Sequence, residues 1–136
     1  MRLNKVFFIL SLLFGVQLWA TEHVENPQVK PAHKFAVDDS LKNRMDTVLQ
    51  TMKTLSKGEE KAVGGKIKAT VRDIFKSCKL APDADAAIHP ILAELLGAAS
   101  QLEQGDSKEG LKKIRKALLN YGDYFDHPGW KNSLGE

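Results

Sequence analysis

Four apolar stripes of one kind run between residues 41 and 125, and they constrain the fold more than any other feature. Leu41, Met45, Val48, Met52 and Leu55 recur at steps of four and three. Val63, Ile67, Val71, Ile74 and Cys78 repeat the pattern, with Phe75 beside them. Ile88, Leu92, Leu95, Ala99 and Leu102 form a third stripe, and Leu111, Ile114, Leu118, Tyr121 and Phe125 a fourth. Residues three and four apart share one face of a helix, so each stripe predicts an amphipathic helix that must bury that face. No strand-like alternation competes with this pattern.

The punctuation agrees with it. Asp38, Asp39 and Ser40 offer N-cap oxygens to the first helix, and Gly58 offers a stop. Gly64-Gly65 weakens the first turn of the second helix by about 1 kcal/mol per glycine. Lys76 and Lys79 suit that helix's negative end, and Pro82 lies beyond it. Asp83 or Asp85 is placed to cap the third helix, Pro90 predicts an irregular start to it, and Gly105 ends it. Asp106 with Glu109 resembles a capping box, and His127-Pro128-Gly129 stops the fourth helix. The connections, near 57–59, 80–83 and 104–106, are short, and short connections make helices antiparallel neighbours. The expected fold is all-α, an antiparallel up-down-up-down four-helix bundle over residues 38–127. A flexible tail is expected over 128–136.

The chain begins with two basic residues, Arg2 and Lys5, followed by an apolar run from Val6 to Val16. That run suits a signal peptide and is too short for a bilayer, which takes roughly 20 residues. Residues 1–20 are therefore expected to be a signal peptide, with Ala20 as its last residue, and an uncleaved anchor is the alternative. Residues 21–37 contain two prolines and no sustained helical period, which predicts an extended leader. The expected location is the periplasm or the secreted fraction. Without residues 1–20 the chain holds 18 basic and 17 acidic residues, against a formal charge of +3 for the whole sequence. A near-neutral chain without a basic block interleaved with aromatics argues against nucleic-acid binding. One cysteine, Cys78, excludes an internal disulfide, so the core must carry the stability.

Connectivity brings distant residues to one end of such a bundle: Met45, Cys78, His89 and the segment Tyr124–His127. Thioether, thiol and imidazole together suit copper(I), and methionine with histidine suits haem iron. The plain alternative is that Met45 and Cys78 are core residues. At 100° per residue, Met45 and Cys78 fall within roughly 40° of their stripe centres and point inward. His89 falls about 100° away, at the boundary, and His127 about 200° away, toward solvent if its helix continued. Pro128 disfavours helical geometry at His127. A free amine at Thr21 followed by Glu22 and His23 would capture copper(II) or nickel(II), as any such terminus does.

Three stretches resemble the soluble periplasmic cytochrome b562 family. NRMDTVLQTMKTL is similar to its first helix, AAIHPILAELLGAASQLEQGD to its third, and SKEGLKKIRKALLNYGDYF to its last. The likeness covers about Ser40 to Phe125. It implies a four-helix bundle that transfers electrons through haem b, held by methionine from the first helix and histidine near the end of the last. Met45 falls at the methionine position. The histidine position falls at Phe125, which cannot ligate iron, and His127 lies two residues later. Either haem is held through His127 or His89, or this chain no longer binds it. There is no CxxCH for covalent attachment.

Three functions follow as expectations. The first is a haem-binding electron carrier with Met45 and His127 or His89 as ligands. The second is a copper(I) binder using Met45, Cys78 and His89, with Tyr124 or Phe125 covering the site. The third is a cofactor-free structural or interaction bundle. A redox or metal-handling partner in the periplasm suits the first two. An enzyme is not expected, since neither GxSxG nor HExxH occurs and the carboxylates lie mostly on polar faces.

Overall fold

Each of the four stripes becomes a helix in the computed structural model, which describes residues 30–135. The expected signal peptide at 1–20 and the first part of the leader, to residue 29, lie outside the described residues. The chain is all-α. Its helices are α1 (Asp39–Lys53), α2 (Glu60–Ser77), α3 (Pro82–Gln104), α4 (Ser107–Tyr124) and a short α5 (Trp130–Leu134). Two two-residue strands, β1 (Phe35–Ala36) and β2 (Phe125–Asp126), pair in parallel. Among the described residues, no helix is long and apolar enough to cross a membrane.

Helix boundaries follow local chemistry. Asp38 caps α1, its Oδ1 accepting from Leu41 N–H at 2.6 Å. Its other carboxylate oxygen accepts from Lys79 N–H at 2.8 Å, which ties the start of α1 to the end of α2. α1 ends at Lys53, one turn before Gly58, so Leu55 lies outside the helix. α2 ends at Ser77, and Cys78 is already extended, with φ −74° and ψ 138°. Pro82 opens α3, where its missing N–H costs nothing, so Asp83 and Asp85 lie in the first turn rather than capping it. Pro90 sits inside a continuous helix instead of at an irregular start. Both Pro90 and Ala86, whose carbonyl it leaves without a helical donor, face the exposed side. Asp106 precedes α4 without a side-chain cap bond, so the expected capping box is not formed.

Helices neighbouring in sequence pack together: α1 on α2, α2 on α3, and α3 on α4. Ser40 and Ser77 hydroxyls lie 2.9 Å apart, and Arg44 Nε donates to Ser77 at 3.0 Å. In the middle of α2, Lys68 pairs with Glu103 of α3. Gly64 is there because a Cβ would lie 2.6 Å from the Ala99 carbonyl oxygen. Its helix-weakening cost is the condition for that close approach. The shared interior is apolar, with Met45, Val48, Ile67, Val71, Leu95, Ala98, Ala99, Ile114, Ala117, Tyr121 and Phe125 all fully buried.

The chain after α4 departs from the expected flexible tail. It runs extended through β2, turns at His127–Gly129, and lays α5 back on the molecule. Gly129 takes the left-handed φ of +77° that the turn requires, and Trp130 N–H donates to the His127 carbonyl at 3.1 Å. Trp130 is 2 % exposed, and its Nε1 donates to the Leu118 carbonyl at 3.0 Å. A large apolar ring gains more from burial than the segment loses in freedom, and Gly122 leaves room for it. The described part of the leader, residues 30–37, contains no helix and is fastened to the same end of α4. Lys34 Nζ donates to the Gly122 carbonyl at 2.6 Å, Lys30 pairs with Asp123 at 3.0 Å, and Phe35 packs on Phe125 with ring centroids 5.7 Å apart.

Candidate functional site

Two histidines, His127 just past α4 and His89 within α3, meet opposite fates. His127 was expected to point to solvent if α4 continued. α4 stops at Tyr124 instead, the backbone turns extended, and the imidazole swings inward to 7 % exposure. Its Nδ1 lies 3.0 Å from the Tyr121 hydroxyl and its Nε2 lies 3.2 Å from Asp46 Oδ1. The ring also packs on Trp130, with centroids 4.8 Å apart. Tyr121 stacks on Phe125 at 5.1 Å and meets the Trp130 edge at 4.7 Å.

The hydrogen-bond directions follow from chemistry. A carboxylate only accepts, so Nε2 carries the proton toward Asp46, and Nδ1 accepts the Tyr121 hydroxyl proton. Burial holds the His127 imidazole below its ordinary range, against the opposing charge of Asp46, while Lys42 adds to the lowering. Burial, with Asp46 nearby, pushes the Tyr121 phenol well above its usual value, so it stays a donor. Asp46, His127 and Tyr121 thus form a polar chain with a donor matched to each acceptor. It links α1, the C-terminal turn and α4.

The second histidine, His89, is exposed on α3. It stacks on Phe75 of α2 with centroids 5.5 Å apart, and its Nδ1 lies 3.7 Å from Asp85. Phe75 is itself 48 % exposed, unusual for a large apolar side chain among the described residues. A cavity of about 50 Å³ lies between these helices, lined by Ile74, Phe75, Cys78, Asp85, Ile88, His89 and Leu92. Cys78 is half-buried there instead of inside the core, because α2 ends one residue before it. Burial raises its thiol pKa, and Asp38 adds to this, while a Ser40 hydrogen bond and Arg44 oppose it.

The structure therefore divides the expected site residues. Cys78 and His89 do share one cavity. Met45 does not line it and is fully buried in the core. His127 belongs to the separate aromatic cluster. Among the described residues, no three His, Cys, Asp or Glu side chains gather closely enough to hold a metal ion. A haem fits the residues poorly. Neither His127 nitrogen is available to iron unless Tyr121 or Asp46 is given up. Phe125, at the family's histidine position, is fully buried between Tyr121 and Phe35.

The partners of His127 were not visible as partners in the sequence. Tyr121 stands on an apolar stripe, Asp46 is the polar neighbour of Met45, and Trp130 lies in the tail. The one available signal was the His-Pro-Gly turn, which reverses the chain toward residues it has already passed. No protein-family model, characterised protein or solved structure matches the chain.

Proposed function

We propose that this chain is an exported, antiparallel up-down-up-down four-helix bundle of cytochrome b562-like design that works without haem, as a structural or interaction protein. The observation that carries this reading is the Asp46–His127–Tyr121 chain. It uses both nitrogens of the histidine nearest the family's ligand position. The fully buried Phe125 supports the same reading, because it puts an aromatic core residue where a ligand would stand. Catalysis finds no support at this end, since the Tyr121 side chain is fully buried and the imidazole is sealed beneath Trp130.

The test is an absorption spectrum of the full chain, purified from an exporting host, before and after addition of haem. No Soret band is expected in either case. A Soret band that disappears on Met45→Ala would overturn the proposal and restore the electron-transfer reading.

One observation favours a second reading, copper(I) binding: Cys78 and His89 line the same cavity. A thiolate and an imidazole suffice for a soft ion of low coordination number, without Met45. The raised thiol pKa means that the metal must displace a proton, so affinity should rise with pH. Competition with a copper(I) chelator measures it. Equal affinity in the parent, Cys78→Ser and His89→Ala would end this reading.

A further inference from the structure

A polar contact joins the C-terminal segment to α1. Among the described residues, His127 makes the polar contact between the chain beyond α4 and α1, through Asp46. The other polar contacts of that segment stay within it, return to α4, or pair β2 with β1 of the leader. Trp130 donates to Leu118, Lys131 lies 3.9 Å from Asp123, and the turn closes on itself between His127 and Trp130. His127 is also the buried group most easily changed by mild acid, because imidazole ordinarily titrates near neutrality.

We propose that His127 is an acid-sensitive clamp: while neutral it holds the C-terminal turn and α5 between α1 and α4, and when protonated it releases them. The reason lies in the direction of its two hydrogen bonds. In the neutral ring, Nδ1 accepts the Tyr121 hydroxyl proton. Protonation turns Nδ1 into a donor, and two donors then face each other across 3.0 Å. Tyr121 can accept only by rotating its own proton elsewhere. Its side chain is fully buried, so water does not take that proton. Release of the turn relieves the conflict by giving the imidazolium to solvent.

The surrounding charges do not prevent this. α1 presents Asp46, which attracts the imidazolium, and Lys42, which repels it. The Asp46 side chain is 47 % exposed, so water screens its attraction. α4 presents the Tyr121 phenol, and α5 the Trp130 indole. Asp38 and Cys78 act on Tyr121 from the junction of α1 and α2, and both keep its phenol protonated. The proposal rests on the reading that His127 holds no haem, and it is independent of copper binding at Cys78 and His89.

Trp130 supplies the readout. The full chain carries only one other tryptophan, Trp19, so the experiment uses Trp19→Phe as the parent. Tryptophan emission and far-ultraviolet circular dichroism are followed from pH 8 to pH 4. Emission should shift to the red with a midpoint below about 6.5, the ordinary histidine value, while the helical signal stays constant. Tyr121→Phe removes the opposing donor and should abolish the pH-driven shift. Emission that stays constant to pH 4 in the parent overturns the proposal, and so does a shift of the same midpoint in His127→Gln. Should His127→Gln not fold, the His127 ring is titrated by nuclear magnetic resonance in the parent. A ring that takes up its proton while Trp130 emission stays constant overturns the clamp.

Discussion

Compared side by side, the two histidine regions show what decides whether a side chain is available. His127 lies just past the end of α4 and His89 within α3, and both have an aromatic ring and a carboxylate nearby. His127 is covered by a tryptophan and has a partner for each nitrogen. His89 lies open, with half of its side chain exposed and its carboxylate neighbour 3.7 Å away. The difference comes from the chain that follows. After His127 the backbone turns back and brings Trp130 over the ring, while after His89 α3 simply continues. A histidine's role is thus set by the element that covers it, and residue type and spacing leave it open.

The largest effect expected from breaking this contrast is at Trp130. Trp130→Ala should cost about 3–5 kcal/mol, read as a lower urea midpoint, because it empties a buried aromatic site. A loss under about 1 kcal/mol would mean that the C-terminal segment contributes little to the fold. Gly122→Ala probes the same cover from below. Its Cβ would meet Trp130 Cδ1 at 2.6 Å, so the indole must move, and about 1–3 kcal/mol should be lost. Tyr121→Phe leaves His127 Nδ1 buried without a donor and should cost about 1–3 kcal/mol in the same measurement at pH 8.

The pH dependence of stability is the next effect. Burial holds His127 below its ordinary value in the folded chain, so the unfolded chain takes up the proton first as pH falls. The stabilisation present above about pH 6.5 is therefore lost progressively on acidification. One histidine gives a slope of at most about 1.4 kcal/mol per pH unit. Urea midpoints across pH 5–8 should show this slope in the parent and a flatter one in His127→Gln. The smallest effect is expected in the open region. His89→Ala should change stability by no more than about 0.5 kcal/mol, since an exposed ring on a helix surface loses little. A larger loss would show that the stack on Phe75 holds α2 to α3.

Much of the helical layout was legible because local chemistry settles it. Stripes of period 3.6, an Asp38 cap, and glycines at 58 and 105 act over a few residues, and the helices form where those signals stand. The misreadings at Cys78 and His127 share one cause. Continuing a stripe by arithmetic put Cys78 inside and His127 outside, and both assume a helix that has already ended. Cys78 lies one residue past α2, and His127 lies beyond α4 in extended chain, where angles of 100° per residue no longer apply.

By itself the sequence determined that this is an all-α chain whose helices carry one apolar face each, because periodicity and caps are properties of neighbouring residues. It also placed Phe125 in the core, where it is fully buried. Only the tertiary structure decided which side chains meet. Asp46, Tyr121 and His127 come from three segments that the fold brings within hydrogen-bond distance, and Trp130 seals them because burying its ring outweighs ordering the tail. The same packing put Met45 in the core and left Cys78 and His89 to share a small cavity that Met45 does not line. Those pairings depend on where the chain turns back, and no local pattern of residues contains that information.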